Sequence, residues 1–303
     1  MKKTCLVICG PTAVGKTSVA IQLATFLSTQ IISADSRQCY QELNIGVAKP
    51  TPDELTQIPH HFINTHSIQE SFSAADFEKY ALNAVQSVFA NNDIAIMVGG
   101  TGLYIKAFCE GLDEIPSIDP ALREDITLQY QQNGIEWLQN ELKEKDSLYF
   151  ANGEMQNPQR MMRALEVLIT SGKSIISFQT NPKKARDFDI IKIGLELPRQ
   201  ELYERINQRV DQMVQEGLVA EVAELLPYQS LNALQTVGYK ELFEYFHQRS
   251  SLDKAIDLIK QNTRHYAKRQ MTWFKRDEQV HWFSPEIEPI VQFIQQRIKL
   301  STQ

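Results

Sequence analysis

Residues 7 to 24 read VICGPTAVGKTSVAIQLA, and the centre of that stretch decides how the chain begins to fold. Gly10, Pro11, Thr12, Ala13, Val14, Gly15, Lys16 and Thr17 fit the pattern G-x-x-x-x-G-K-[ST]. An apolar run at 4–9 precedes them, and a helix is predicted from Thr17 to Phe26, which is the strand–loop–helix context that a phosphate-cradling loop needs. Glycines let backbone N–H groups turn inward on an anion, and the helix N-terminus adds partial positive charge. Lys16 then reaches the outer phosphate, and the Thr17 hydroxyl is placed to meet Mg²⁺. The pattern does not say whether the phosphate is attacked or departs.

In nucleotide hydrolases and kinases this loop is partnered by a strand that ends in Asp. The apolar run DIAIMVGG (93–100) ends instead in Gly99, Gly100 and Thr101. The early strand-end carboxylate is Asp35, in Ser33-Ala34-Asp35-Ser36 after IIS (31–33). Three roles are open to it: orienting Mg²⁺, accepting a proton from a nucleophile above the phosphate loop, or capping a turn.

Further along, Ser73-x-x-Asp76 is a capping-box start for a helix running to about Ala90. Strand, loop and helix recur, so the fold class is α/β with a P-loop NTPase-like parallel sheet. From Pro116 the segments PALREDITLQYQQNG, IEWLQNELKEKD and NPQRMMRALEVLITSGKS read as helices with no strand between them. An all-helical domain inserted at 115–187 is therefore expected, with 1–114 and 188–303 forming the core. FDIIKIGLEL (188–197) returns to the sheet, and QVHWF (279–283) offers a last short strand.

The 303 residues carry a net charge of −6, against a generally basic nucleic-acid binder. Residues 258–276 nonetheless hold six Lys/Arg and no acid, with Lys260, Arg264 and Lys268 in one helical stripe. Phosphate contact and plain solvation are both open for that stripe, and core packing is the simpler reading of Tyr266 and Trp273. His60 and His61 lack a second pair of metal ligands, so packing or loop hydrogen bonding is expected of them. Four cysteines show no CxxC pairing and suit a reducing cytoplasm. No apolar run approaches the ~20 residues of a membrane span.

GPTAVGKT, IISADSRQCYQELNIGVAKP, IPHHFI, FSAADF, VGGTGLYIKAF, NPQRMMRALEV and AKRQMTWFKR occur in that order between residues 5 and 283. Together they resemble the tRNA dimethylallyltransferases, or isopentenyltransferases. With no Cys/His extension after residue 283, the resemblance is to the bacterial type. It implies transfer of the dimethylallyl group from dimethylallyl diphosphate to N6 of the adenosine 3′ to the anticodon in tRNA. It further implies Mg²⁺ as cofactor, with Asp35 as general base and Thr17 and Arg209 at the diphosphate. Asp35, Ser36, Arg37, Gln38, Thr101, Arg123, Gln159, Arg160, Met161, Met162 and Arg163 match positions that touch the tRNA, and Gln38 could read the extruded base. A monomer acting in the cytoplasm is expected. The rivals are a small-molecule or nucleoside kinase using ATP, a prenyltransferase acting on free adenine nucleotide, and a nucleotide-gated RNA-binding protein.

Overall fold

The computed structural model describes residues 2–180 and 183–298. β1 (Thr4–Cys9) leads through the phosphate loop into α1 (Lys16–Phe26), then β2 (Ile31–Ser33), α2 (Pro52–Gln57) and β3 (His60–His61). α3 (Ala74–Phe89), β4 (Ile94–Gly99) and α4 (Gly102–Glu110) follow. After the helical segment α5 (Pro120–Lys145), α6 (Ser147–Asn152) and α7 (Pro158–Ser171), the chain returns to the sheet as β5 (Asp189–Leu195). α8 (Arg199–Gln215), α9 (Leu218–Glu224), α10 (Tyr239–Phe246), α11 (Leu252–Phe274), β6 (Val280–Phe283) and α12 (Ile287–Ile298) complete it.

The six strands lie in the order β3-β2-β4-β1-β5-β6, and every pairing is parallel. β1 sits between β4 and β5 and is apolar on both faces, as a central parallel strand must be. Its Cys5, Val7 and Cys9 pack into one core with Phe77, Val85 and Phe108 from α3 and α4. Leu6 and Ile8 pack into the other with Leu23 of α1, Ile206 of α8 and Ile294 of α12. The chain leaves β1 toward β2 on one side and leaves β4 toward β5 on the other. Such a reversal of winding opens a crevice at the carboxyl ends of the strands, here where β1, β4 and β2 finish.

Residues up to Cys109 and from Ala185 onward form one compact unit, and Glu110–Lys184 form a second, compared with the 115–187 insertion expected from sequence. The smaller unit has its own core of Ile126, Leu138, Leu142, Tyr149, Met161, Ala164 and Leu165. Its first two predicted helices both form within α5 and are separated, as the sequence divides them, by a kink at Gly134, where φ of 74° departs from helix. Sequence periodicity missed α2, α12 and the edge strand β3. A two-residue strand shows no alternation to detect.

Residues 37–50 contain no helix, yet they are firmly held. Glu221 of α9 accepts the backbone N–H of Asn44 (3.1 Å), Ile45 (2.7 Å) and Gly46 (3.0 Å), and the hydroxyl of Tyr239 at 2.6 Å. Lys49 donates to the carbonyl of Tyr40 at 2.6 Å and to the side chain of Asn64. Charge-assisted bonds of this kind are individually strong. Glu221→Ala is expected to lower stability by about 2–4 kcal/mol, read as a lower urea midpoint; an unmoved midpoint would mean that the carboxylate holds nothing in place.

Candidate active site

The loop between β1 and α1 has the backbone of an anion cradle. Gly10 (φ 145°) and Gly15 (φ 103°) occupy conformations that side chains resist, and Ala13 at φ 64° is left-handed as well. A Cβ on Gly10 would lie 2.5 Å from the carbonyl oxygen of Leu195, so the loop can press against the end of β5 only with glycine there. Lys16 folds over the loop and donates from Nζ to the carbonyl of Pro11 at 2.6 Å. Burial, and then the neighbouring positive charge of Arg209, lower its pKa to about 8, while Asp35 and Cys9 pull the other way. Among the described residues neither Lys16 nor Arg209 takes part in an ion pair. Asp35 offsets part of the charge at Lys16 and Glu54 part of that at Arg209, but neither carboxylate is in an ion pair with them, so an anion bound beside the two cations would relieve their repulsion.

Asp35 stands just beyond β2. Its Oδ1 accepts the backbone N–H of Arg37 (2.9 Å) and Gln38 (3.3 Å), while no described residue donates to Oδ2. Thr101, after β4, braces this turn: its N–H donates to the Ala34 carbonyl at 3.2 Å, and its Oγ1 accepts the Ser36 N–H at 3.1 Å. Gln38 is already occupied. Its Nε2 donates to the carbonyls of Val47 (3.2 Å) and Ala48 (2.9 Å), and its Oε1 accepts from the Ser33 hydroxyl at 3.3 Å. It braces the 37–50 segment, and reading a base would require breaking those bonds.

Thr12, Asp35, Ser36, Arg37, Arg209 and Tyr266 line one cavity of about 690 Å³. A second, of about 530 Å³, is lined by Thr17, Lys49 and Glu54. Ala48, Arg209 and Met213 line both, so the phosphate-loop threonine and the Asp35 carboxylate lie on two cavities with a shared wall. Arg209 is open to solvent there, although surrounding protein lowers its pKa. Guanidinium remains charged regardless. α11 supplies Tyr266 and Arg269 to the first cavity.

Several residues differ from their sequence readings. Tyr266 and Trp273 are 37% and 40% exposed, not core. Lys260 pairs with Asp211 at 2.6 Å and Arg264 donates to Asn207 at 2.6 Å, so two members of the basic stripe are tied to α8 and only Lys268 of the three stays free on the surface. The two histidines instead hydrogen-bond as expected: His60 Nδ1 lies 2.7 Å from the carbonyl of Ile58, and His61 Nε2 lies 2.8 Å from the Gln30 side chain. Among the described residues no cluster of three or more His, Cys, Asp or Glu could hold a metal.

In the helical unit, Gln159 and Arg160 are exposed at the start of α7. Arg123 meets the buried Glu166 through Nε (3.1 Å) and Nη2 (3.4 Å), and Arg163 meets the same carboxylate at 3.0 Å. That trio keeps a net positive charge on the surface. Met161 departs from its expected role: its side chain is fully buried in the core of the unit, and Met162 packs partly against that core.

The family model described as IPP transferase matches residues 38–277. This chain belongs to the IPP transferase family. It is similar to tRNA dimethylallyltransferase 1 of Bacteroides thetaiotaomicron, 46% identical across 94% of this chain and 92% of that one. With the tRNA dimethylallyltransferase of Christiangramia forsetii it is 48% identical, across 91% of each. Among solved structures, the full-length tRNA isopentenylpyrophosphate transferase of Bacillus halodurans superposes with a TM-score of 0.71 at 36% identity, over 98% of this chain and 96% of that one. A eukaryotic dimethylallyltransferase acting on tRNA gives 0.76 at 26% identity, over 97% of this chain and 77% of that one.

In this IPP transferase family member the lowered Lys16 pKa has a measurable consequence. Charge on Lys16 is complete well below pH 8 and is lost above it, whereas a diphosphate ester is already fully ionised. Affinity for a simple alkyl diphosphate should therefore fall about tenfold between about pH 7 and about pH 9.5. Titration calorimetry on the parent and Lys16→Ala checks this: the variant should bind weakly with a flat profile, and parallel profiles would rule Lys16 out of the cradle.

Proposed function

We propose that this chain transfers the dimethylallyl group of dimethylallyl diphosphate to the exocyclic N6 of the adenosine 3′ to the anticodon in tRNA, releasing diphosphate. What supports this reading is an anion cradle at the end of β1 and a hydrogen-bonded carboxylate just beyond β2, with only β4 between them, beside two cavities that share a wall. The relatives' names point the same way.

The allylic C–O bond breaks and its electron pair goes to the departing diphosphate. Loop N–H groups, Lys16 and Arg209 meet the negative charge as it develops, where such electrostatic support is strongest. The lone pair of N6 forms the new bond to C1. Because that lone pair is delocalised into the purine, proton removal matters: Oδ2 of Asp35 accepts the N6 proton, while Oδ1 stays bonded to the backbone. Thr17, in the first turn of α1, is the residue whose hydroxyl would hold Mg²⁺ together with the diphosphate oxygens, a donor set of the kind that ion prefers. Mg²⁺ there would offset leaving-group charge.

The target adenosine must leave its stack to reach Asp35. Tyr266 offers an exposed ring beside that carboxylate for the extruded base. On the helical unit, Arg123, Gln159, Arg160 and Arg163 supply contacts to RNA phosphates, and Met161 and Met162 support the helix that presents them. In the core, Ser36, Arg37 and Thr101 contact the tRNA, and Gln38 acts by shaping the cavity. We place the protein in the cytoplasm, where its four buried thiols suit a reducing compartment, and take it to act there as a monomer.

Anticodon stem-loop RNA treated with the protein and dimethylallyl diphosphate, then digested for mass analysis, should show one five-carbon unit added to adenosine. A phosphorylated nucleoside formed from ATP, with no prenylated adenosine, would favour the kinase. Asp35→Asn should slow turnover by about 10²–10⁴-fold while stem-loop RNA still binds; turnover within a few-fold of the parent would remove Asp35 as base.

A further inference from the structure

α11 carries Tyr266, Gln270 and Trp273 at i, i+4 and i+7, on one helical face. Tyr266 lines the cavity, while the other two dock on the turn after β4. That turn has no room for side chains where they land: a Cβ on Gly100 would fall on the Gln270 amide nitrogen, and one on Gly102 would fall on the Trp273 indole.

Gln270 is 6% exposed, and both ends of its amide are bonded. Oε1 accepts the backbone N–H of Thr12 at 2.8 Å, and Nε2 donates to the carbonyl of Gly100 at 2.9 Å. One partner can only donate and the other can only accept, so the amide has a single workable orientation. Gly100 is followed by Thr101, which bonds to Ala34 and Ser36 on either side of Asp35. A continuous path therefore runs from the phosphate loop through Gln270 and the 99–101 turn to the Asp35 turn. Taking prenyl transfer as the reaction at this site, we propose that Gln270 is a positioning residue that fixes the leaving-group cradle relative to the base. It touches neither substrate. It sets the separation at which the diphosphate and the N6 proton acceptor face each other, a quantity to which reaction rates are steeply sensitive.

Gln270→Met removes both bonds at similar length, Gln270→Glu retains the acceptor facing Thr12 but sets a carboxylate against the Gly100 carbonyl, and Gly100→Ala displaces the amide from the opposite side. Single-turnover prenyl transfer to stem-loop RNA is measured beside equilibrium binding of dimethylallyl diphosphate and of the RNA. The chemical step should slow about 30-fold in Gln270→Met and Gly100→Ala, with both affinities within about threefold of the parent. A variant that only loosened the fold would lose binding and rate together. In Gln270→Glu the deficit relative to the parent should shrink as pH falls, because a protonated carboxyl can donate to Gly100 as the amide does, and burial favours that form.

Single-turnover rates within about threefold of the parent for Gln270→Met, or a Gln270→Glu deficit that does not change with pH, would overturn the assignment. If Gln270→Met fails to melt cooperatively, the pH dependence of Gln270→Glu decides. Absence of prenylated product from the parent itself would instead defeat prenyl transfer as the reaction.

Discussion

Asp35 holds two backbone N–H groups with one carboxylate oxygen, and no described residue donates to the other; this depends on where the sheet ends. β2 stops at Ser33 and β4 at Gly99, side by side, so that Thr101 can reach across to both Ala34 and Ser36. β1 lies next to β4 and delivers the phosphate loop to the same edge. Parallel pairing in this order makes the loop and the carboxylate neighbours, although Thr17 and Asp35 are 18 positions apart in the chain. An antiparallel neighbour would send one of those termini to the opposite edge of the sheet.

The charge in this crevice is out of balance. Lys16 and Arg209 repel one another, and the lowered pKa of Lys16 records what that repulsion and burial cost the free protein. On the proposed reading a bound anion relieves that cost, and a diphosphate gaining charge as it departs relieves it most at the transition state. The helical unit shows a milder version of the same device. There one buried carboxylate, Glu166, organises two arginines and leaves the trio positive.

Legibility in the sequence followed the range of the interactions. The phosphate loop was plain because its constraints are local: two glycines, one lysine and one hydroxyl between a strand and a helix. The capping box at Ser73 and Asp76 was plain for the same reason. Asp35 was visible as a strand-end carboxylate, but its neighbours across the sheet were not, and its role in chemistry came from the family resemblance. The basic stripe of α11 misled because spacing shows which residues share a helical face, without saying what that face meets. Lys260 and Arg264 meet Asp211 and Asn207 of α8. Met161 misled in the opposite direction, since a motif marks a segment and not the inward turn of one of its side chains. Gln270 and Glu221 gave no local signal, because the partners of Gln270 lie 258 and 170 residues away and the backbone partners of Glu221 175–177 residues away.

The central claim is that a departing diphosphate and an adenine amine meet at this sheet edge. It is tested most directly by a crystal structure of the protein with anticodon stem-loop RNA and an unreactive analogue of dimethylallyl diphosphate. The diphosphate should lie against the N–H groups of residues 13–17 and the side chains of Lys16 and Arg209, with the extruded adenine N6 within hydrogen-bonding distance of Asp35 Oδ2. A diphosphate bound elsewhere, or an adenine whose N6 faces away from Asp35, would contradict the account.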